Sequence, residues 1–245
     1  YMDEYLGTSG HPDYPTALNG LQVEGPAEVS RVVAAVDASQ ASIAAAAAMG
    51  GDLMIVHHGI FWDGRLPLTG RLGRRARALF EANMGLYSCH LPLDSHAEVG
   101  NCILLARAVG LTPIGRLGDY KGASLGWWGE TNEPISLEGL QGRVSAAVGG
   151  GRVEVLQGGP EEIRRIGVLT GGGESFVREA ATLGLDAFVT GEGSHHTYFD
   201  AAEFGIHVLF AGHYATETFG VRALAQHVGE RFRLESHFID QPTGL

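Results

Sequence analysis

An internal duplication constrains the fold of this chain more than any other feature of its sequence. Residues 31–58 and 165–192 align at a constant offset of 134 without a gap, and five of the 28 aligned positions are identical. Each segment has an apolar run, a helical pattern ended by a glycine, and an aspartate that opens a second apolar run. These patterns predict two strand-helix-strand units with parallel strands. The alternative, two unrelated units that merely look alike, predicts the same parallel strands.

We therefore predict an α/β fold in which duplicated βαβ units form a mixed, largely parallel sheet with a small antiparallel middle segment. The expected organisation is a first α/β half at residues 1–118, a β-rich connecting segment at 119–160 and a second α/β half at 161–245. We expect one compact pseudo-symmetric unit with metal ligands in both halves. The connecting segment is rich in glycine and contains Trp127-Trp128, which we expect to pack in antiparallel strands joined by turns.

Composition excludes several classes of function. The 17 basic and 28 acidic residues give a net charge of −11, and this charge repels extended nucleic acid. The two cysteines, Cys89 and Cys102, do not form a disulfide framework, and no apolar stretch is long enough for a transmembrane helix. We expect a cytoplasmic protein that binds no membrane and acts on a small molecule.

Polar side chains gather where the predicted strands end, and seven of the eleven histidines lie there. Parallel strands place ligand sites at their carboxyl ends. Imidazole and carboxylate groups together are typical ligands of Zn, Fe, Mn or Ni. The groups are too many for one tetrahedral site, which favours two divalent metal ions per chain that share a bridging carboxylate. The candidate residues are His57, His58, His90, Asp94 and His96 in the first half, and Glu192, His195, His196, His213 and Glu217 in the second.

Three of these candidates lie in segments that follow a predicted strand. His213 and Glu217 lie four residues apart at the start of the last predicted helix, so that both side chains can meet one ion. The alternative is an ordinary ion pair on a helix surface. Asp94 follows Pro92 in a stretch predicted to be irregular, where a carboxylate could reach a metal pair or simply cap a turn.

For the other candidates the sequence allows more than one role. His57 and His58 point to opposite faces of a regular strand, so both reach one cluster only where the chain leaves the strand, which Gly59 permits. Otherwise one histidine is buried and structural and the other is exposed. Glu192 and the pair His195-His196 fit a role as ligands, as partners of ligands or as groups that move protons.

Three features bear on phosphate binding. The turn from Thr170 to Glu174 contains three glycines between a strand and a helix, and it is either a tight turn or a cradle of N–H donors. Arg65 and Arg71, which follow His57 and His58, are the best-placed cations for a substrate phosphate.

The order of these motifs resembles one family, the dinuclear-metal proteins known as GTP cyclohydrolase 1 type 2, also called NGG-interacting-factor-three-like. The resemblance runs from about residue 19 to the end, and the length fits the short form without an inserted middle domain. Cys102 stands where the family pattern has an asparagine. The matching motifs are Asn19-Gly-Leu-Gln-Val-Glu-Gly25, Val56-His-His-Gly59, His90-Leu-Pro-Leu-Asp-Ser-His96, Gly100-Asn101, Gly191-Glu-Gly-Ser-His-His196 and Gly212-His-Tyr-Ala-Thr-Glu217.

The resemblance implies a metal-dependent hydrolase that is a toroidal homohexamer, a trimer of dimers, and acts on a small, nucleotide-like substrate. It implies that Asp94 bridges two ions. An alternative function is that of a non-catalytic metal-binding or assembly scaffold protein. The implied metal ligands are His57, His58, Asp94, His213 and Glu217, and the implied cavity-lining, catalytic residues are His90, His96, Glu192, His195 and His196.

Overall fold

The chain folds into two compact units, each with one sheet of its own. The structure is a computed structural model that describes residues 1–62, 64 and 66–244. The first unit contains Tyr1–Leu93 and Gly220–Gln241, and the second contains Asp94–Phe219 and the residues from Pro242 onward. None of the helices in the described ranges is long and apolar enough to cross a membrane.

Strands and helices alternate along most of the described chain. The strands are β1 (Gly20–Val23), β2 (Arg31–Asp37), β3 (Leu53–His58), β4 (Gly85–Ser88), β5 (Thr112–Tyr120), β6 (Ala123–Ile135), β7 (Glu154–Leu156), β8 (Ile163–Val168), β9 (Ala187–Thr190), β10 (His207–Phe210) and β11 (Glu235–Phe238). The helices are α1 (Met2–Leu6), α2 (Gln40–Ala48), α3 (Gly70–Glu81), α4 (Leu91–Ser95), α5 (Asn101–Ala108), α6 (Leu137–Ala147), α7 (Val177–Thr182), α8 (Thr197–Phe204), α9 (His213–Thr216) and α10 (Thr218–Phe232), with a 3-10 turn at Glu174–Phe176.

The sheet of the first unit has the strand order β1-β4-β3-β2-β11. Strands β4, β3, β2 and β11 pair in parallel, and β1 pairs antiparallel with β4. Strand β2 is almost wholly buried because it lies inside the sheet, and its residues from Val32 to Val36 are at most 1% exposed. The continuous apolar run that predicted this strand is therefore the run of a strand covered on both faces.

The sheet of the second unit has the order β5-β6-β8-β9-β10-β7. Strands β8, β9 and β10 are parallel, whereas β5, β6 and β7 join antiparallel. The predicted α/β class is confirmed, with its parallel βαβ units and its antiparallel middle segment. The strands form two sheets rather than the single sheet expected from the sequence.

The duplication reappears as repeated hydrogen bonds, first in the unit that contains Asp52. Its Oδ2 accepts the backbone N–H groups of Ser30 and Arg31 at 2.7 and 2.9 Å. Gly50 ends the preceding helix with φ +66°, a left-handed conformation that favours glycine. The aspartate thus ties the start of its own strand to the start of β2.

Asp186 repeats this arrangement in the second unit. Its Oδ2 accepts the N–H groups of Arg164 and Arg165 at 2.8 and 2.7 Å, and Gly184 has φ +69°. The guanidinium of Arg165 also donates to the Gly184 carbonyl at 2.9 Å. The glycine and the aspartate that are identical in the two repeats therefore mark where a helix ends and the next strand begins.

Several elements differ from the sequence prediction. Helix α6 lies inside the segment expected to contain only strands and turns, and the Ser136 side chain caps it by accepting the Gly139 N–H at 3.1 Å. Asp94 lies in the short helix α4 and not in irregular chain. The terminal elements α1, β1 and β11 were not predicted, because none shows a long periodic pattern.

Candidate metal-binding residues

Three histidines form a cluster in the first unit. His57 and His58 end β3, and His90 follows β4. One ring nitrogen of each lies within 4.8 Å of the others. His57 is fully buried and His90 is 7% exposed. The strand continues through His58, so the expectation that both histidines reach one cluster only where the chain leaves the strand is wrong. The two neighbouring rings lie close together within the strand, with centroids 4.8 Å apart.

The three imidazoles share one pattern of hydrogen bonding. Each donates its Nδ1–H to an oxygen that can only accept, which leaves Nε2 as the nitrogen that can bind a metal in the neutral ring. Histidines that bind metals are held in this way, because the second nitrogen fixes the tautomer and the ring orientation. The contacts are His57 to the Cys89 carbonyl at 2.9 Å, His58 to Asp37 Oδ1 at 2.9 Å and His90 to Asp13 Oδ1 at 2.8 Å.

Asp13 and Asn19 position His90, and the role of Asp13 was not predicted from the sequence. Asn19 donates to Asp13 Oδ2 at 2.8 Å and accepts the His90 N–H at 2.7 Å. Burial by itself raises the pKa of Asp13, but the hydrogen bond and charge of His90, with the Asn19 amide, outweigh it and lower the pKa. Asn19 begins a recognisable motif. Asp13 has no such signal, and it lies 77 residues before its partner.

Aromatic rings cover the histidine cluster. The Trp62 ring centroid lies 4.7 Å from that of His90 and 5.4 Å from that of His58, and Tyr14 lies 5.3 Å from His90. An apolar wall of this kind limits the access of water and strengthens electrostatic interactions at the ring nitrogens.

Asp94 is held in the second unit by a chain of hydrogen bonds. It is 4% exposed, and its Oδ1 accepts from Asn101 Nδ2 at 2.8 Å and from Thr170 Oγ1 at 3.1 Å. Cys102 Sγ lies 3.3 Å from the same hydroxyl, whose only hydrogen is used, so the thiol donates. Burial, followed by the charge of Asp94, raises the pKa of Cys102 to about 12, which keeps the thiol protonated.

His213 and Glu217 form the ion-pair geometry that their spacing predicts. His213 Nε2 lies 3.1 Å from Glu217 Oε1, whose side chain is 3% exposed, and His213 Nδ1 lies 2.9 Å from Glu192 Oε1. The hydrogen bond to Glu217 is the largest effect on His213; burial opposes it, Glu192 adds to it, and the pKa of His213 is raised to about 9. Glu192 thus lies where it can orient this imidazole.

The turn after β8 brings its backbone against the same carboxylate. Gly171 has φ +67°, and a Cβ at this position would lie 2.4 Å from Glu217 Oε1. Two amides of the turn are engaged inside the protein: Gly171 N–H donates to Thr216 Oγ1 at 3.1 Å, and Gly173 N–H to Thr190 Oγ1 at 2.9 Å. This favours a tight turn over a phosphate cradle.

The remaining predicted residues have local contacts. His96 Nδ1 accepts the N–H groups of the residues two and three positions later, at 3.3 and 3.2 Å. His195 is exposed with its ring centroid 5.7 Å from that of Phe199, and the exposed His196 places Nε2 3.9 Å from Asp200. Among the described contacts, these three histidines are therefore less closely tied to a cluster than His213 is.

The fold and these groups define a mixed α/β protein whose histidine and carboxylate side chains could bind a metal ion. The sequence model of the Duf34/NIF3 family (NGG1p interacting factor 3) matches residues 12–244. The chain belongs to this family, as the order of its motifs predicted.

Relatives match the whole chain. A Deinococcus radiodurans protein named GTP cyclohydrolase 1 type 2 homolog is 41% identical over 245 residues, covering 100% of this chain and 92% of that protein. A solved structure described as protein ybgI, of unknown function, has a TM-score of 0.92 at 40% identity and covers 100% of this chain and 96% of the other. A solved structure from Thermus thermophilus has a TM-score of 0.88 at 40% identity, covering 100% of this chain and 97% of the other.

Proposed function

We propose that this chain binds two divalent metal ions and is a metal-dependent hydrolase. The observation that carries the proposal is the shared orientation of the three imidazoles of the first unit, whose Nδ1 atoms all donate to fixed acceptors. The Nε2 atoms of His57 and His58 are then the ring nitrogens left to bind a cation. In the proposal His57, His58, Asp94, His213 and Glu217 are the metal ligands, and Asp94 is the bridge.

The residues of the second unit fit the same role. Glu217 and Asp94 are carboxylates at most 4% exposed, and buried carboxylates are paired or coordinate metals. The proton that His213 holds beside Glu217 occupies the direction in which a cation would bind. The absence of a side chain at Gly171 leaves space beside Glu217, since the Cβ of any other residue at this position would lie 2.4 Å from Glu217 Oε1. Zinc, iron, manganese and nickel all accept these donors.

Bound metal ions would supply a Lewis acid and lower the pKa of water toward neutrality. The side chains have separate tasks. Asp13 fixes the ring of His90, and Glu192 fixes that of His213. Trp62 packs edge-on against the ring of His90 and would limit the access of water to it. The name shared by the relatives, GTP cyclohydrolase 1 type 2 homolog, supports a nucleotide-like substrate whose purine ring would be opened by water.

The test measures metal content and turnover together. Purified protein loaded in turn with each metal is screened against nucleotides and phosphoesters, and metal per chain is counted by elemental analysis. Asp94→Asn and Glu217→Gln should each lose metal and turnover. Glu203→Gln is the control, because it removes the same charge from an exposed position of α8. It should change neither quantity.

Two outcomes would contradict parts of the proposal. Stoichiometric metal without turnover of any substrate would overturn the hydrolase and support the scaffold function. Turnover that survives Asp94→Asn at the wild-type rate would overturn the bridging role of the carboxylate. The homohexamer, a trimer of dimers, is a separate proposal, supported by the family resemblance and tested by light scattering.

A further inference from the structure

A small cavity adjoins the segment that leaves the histidine cluster. It has a volume of about 250 Å³ and is lined by apolar side chains between Ile60 and Leu72 and by Arg71 and Arg75. Its volume is below the range of pockets that hold a whole small-molecule ligand, about 300–1,000 Å³. The cavity is large enough for one end of a ligand, and the positive charges of the two arginines favour an anionic group at that end.

Arg75 is the donor of this cavity. Its Nε is buried, and among the described residues no acceptor lies within hydrogen-bonding distance of it. Burial lowers the pKa of Arg75, and the positive charge of Arg71 lowers it further, while the carboxylate of Asp37 partly restores it. A buried guanidinium N–H that is not hydrogen-bonded costs free energy, and a bound anion would recover it.

The cavity also lies at the beginning of a helix. Thr69 is the N-cap of α3 and lines the cavity, but its side chain makes no capping hydrogen bond among the described residues. The first turn of this twelve-residue helix has no acidic side chain. The first N–H groups of a helix lack partners within it and carry a partial positive charge, which attracts anions. The helix and Arg75 thus favour the same kind of ligand.

Asp37 connects the cavity with the histidine cluster. It accepts the Nδ1–H of His58 at 2.9 Å, and its charge acts on Arg75. The chain from His58 leads directly to Ile60 and Phe61, which line the cavity. The cavity and the histidine cluster are therefore linked through Asp37 and through the chain segment that follows His58.

We propose that this cavity binds a phosphate group of the substrate, with Arg75 as the principal donor and Arg71 and the α3 N-terminus adding positive potential. The inference rests on the proposed function only in naming this phosphate as part of the substrate. The guanidinium fork binds phosphate in a bidentate geometry, and phosphate carries more negative charge near neutral pH than a carboxylate does, so two arginines attract it more strongly. Arg65, which the sequence also favoured for phosphate, lies outside the described residues.

The experiment uses metal-free protein, because phosphate also binds metal ions. Chelator-treated protein is titrated with inorganic phosphate by calorimetry near neutral pH. Arg75→Gln should weaken binding at least about tenfold, since it removes a charge-assisted hydrogen bond. The control is Arg74→Gln, which removes the same charge from an exposed position of the same helix outside the cavity. It should change the affinity less than about twofold, because exposed charges are screened.

A second variant separates binding from folding. Thr69→Asp gives α3 a capping carboxylate, which should stabilise the helix by about 0.5–1 kcal/mol. The same carboxylate would repel phosphate, so stability should rise while affinity falls. Overturning results are wild-type protein that binds no phosphate at millimolar concentration, equal losses for Arg75→Gln and Arg74→Gln, or acetate bound as well as phosphate.

This inference and the proposed function fail separately. Arg75→Gln should retain the wild-type metal content, since it is not among the proposed ligands. Phosphate binding without any metal binding would keep the anion site and overturn the metal centre. Metal binding without phosphate binding would do the reverse.

Discussion

Replacing Gly171 with alanine should damage metal binding far more than folding. The new Cβ would lie 2.4 Å from Glu217 Oε1 and 3.3 Å from His213 Nε2. Ordinary contact begins at 3.4 Å, so the carboxylate oxygen must retreat by 3.4 − 2.4, about 1 Å. Both atoms belong to the proposed ligand set, and the methyl group would enter it directly.

The expected magnitude follows from the geometry of metal coordination. Metal–oxygen distances of about 2.0–2.2 Å tolerate errors of only about 0.2 Å. A displacement of about 1 Å is several times that tolerance, so we expect the metal affinity to fall at least about a hundredfold. The free energy of unfolding of the metal-free protein should fall by about 1–2 kcal/mol, the cost of a left-handed conformation for alanine.

Gly149→Ala is the matched control. Gly149 has φ +83°, so alanine has a similar backbone cost there, but no atom lies within 4 Å of its Cβ. Metal affinity is measured by competition with a coloured chelator, and stability by urea unfolding after chelation. If the two variants lose stability equally and bind metal equally well, the prediction is refuted, since His213 and Glu217 would then not be ligands.

Further predictions concern single groups. Because the pKa of His213 is raised to about 9 in the folded chain, the metal-free protein should lose stability as pH rises from about 6.5 through 9, and His213→Gln should flatten this slope in urea unfolding. Asp13→Asn should lower the rate of substrate turnover about ten- to a hundredfold, because His90 loses the carboxylate that holds its ring. The buried Cys102 thiol, with its pKa raised to about 12, should resist iodoacetamide in the native state at neutral pH.

Each of these has its own contrary result. A stability of the metal-free protein that rises with pH over this range would refute the role of His213. Unchanged turnover in Asp13→Asn would show that the ring of His90 needs no carboxylate. Rapid alkylation of Cys102 in folded protein would contradict its burial.

The fold was predictable where one local rule decides the outcome. Asp52 and Asp186 each begin a strand and bond the same pair of backbone amides, so the repeated letters were enough to place both βαβ units. The apolar run of β2 identified a strand that is buried on both faces. Helix α6 was missed because the glycines around it outweighed the single capping signal of Ser136.

The candidate site was predictable only in part. Strand ends and the i,i+4 spacing located His57, His58, His213 and Glu217, since these depend on local geometry. Asp13 could not be found in this way, because its contact with a histidine 77 residues later depends on how the chain folds. The sequence does not distinguish Arg75 from the other arginines of α3, because the burial of its Nε and its place in the cavity depend on the folded structure.

The number of metal ions bound per chain tests the central claim most directly. Protein purified without added metal, then saturated with one divalent metal and freed of excess, is analysed for metal and for protein concentration. We expect two ions per chain for the wild type and fewer than two for His213→Ala, which removes one proposed ligand. No stoichiometric metal in the wild type, or two ions at unchanged affinity in His213→Ala, would contradict the dinuclear site.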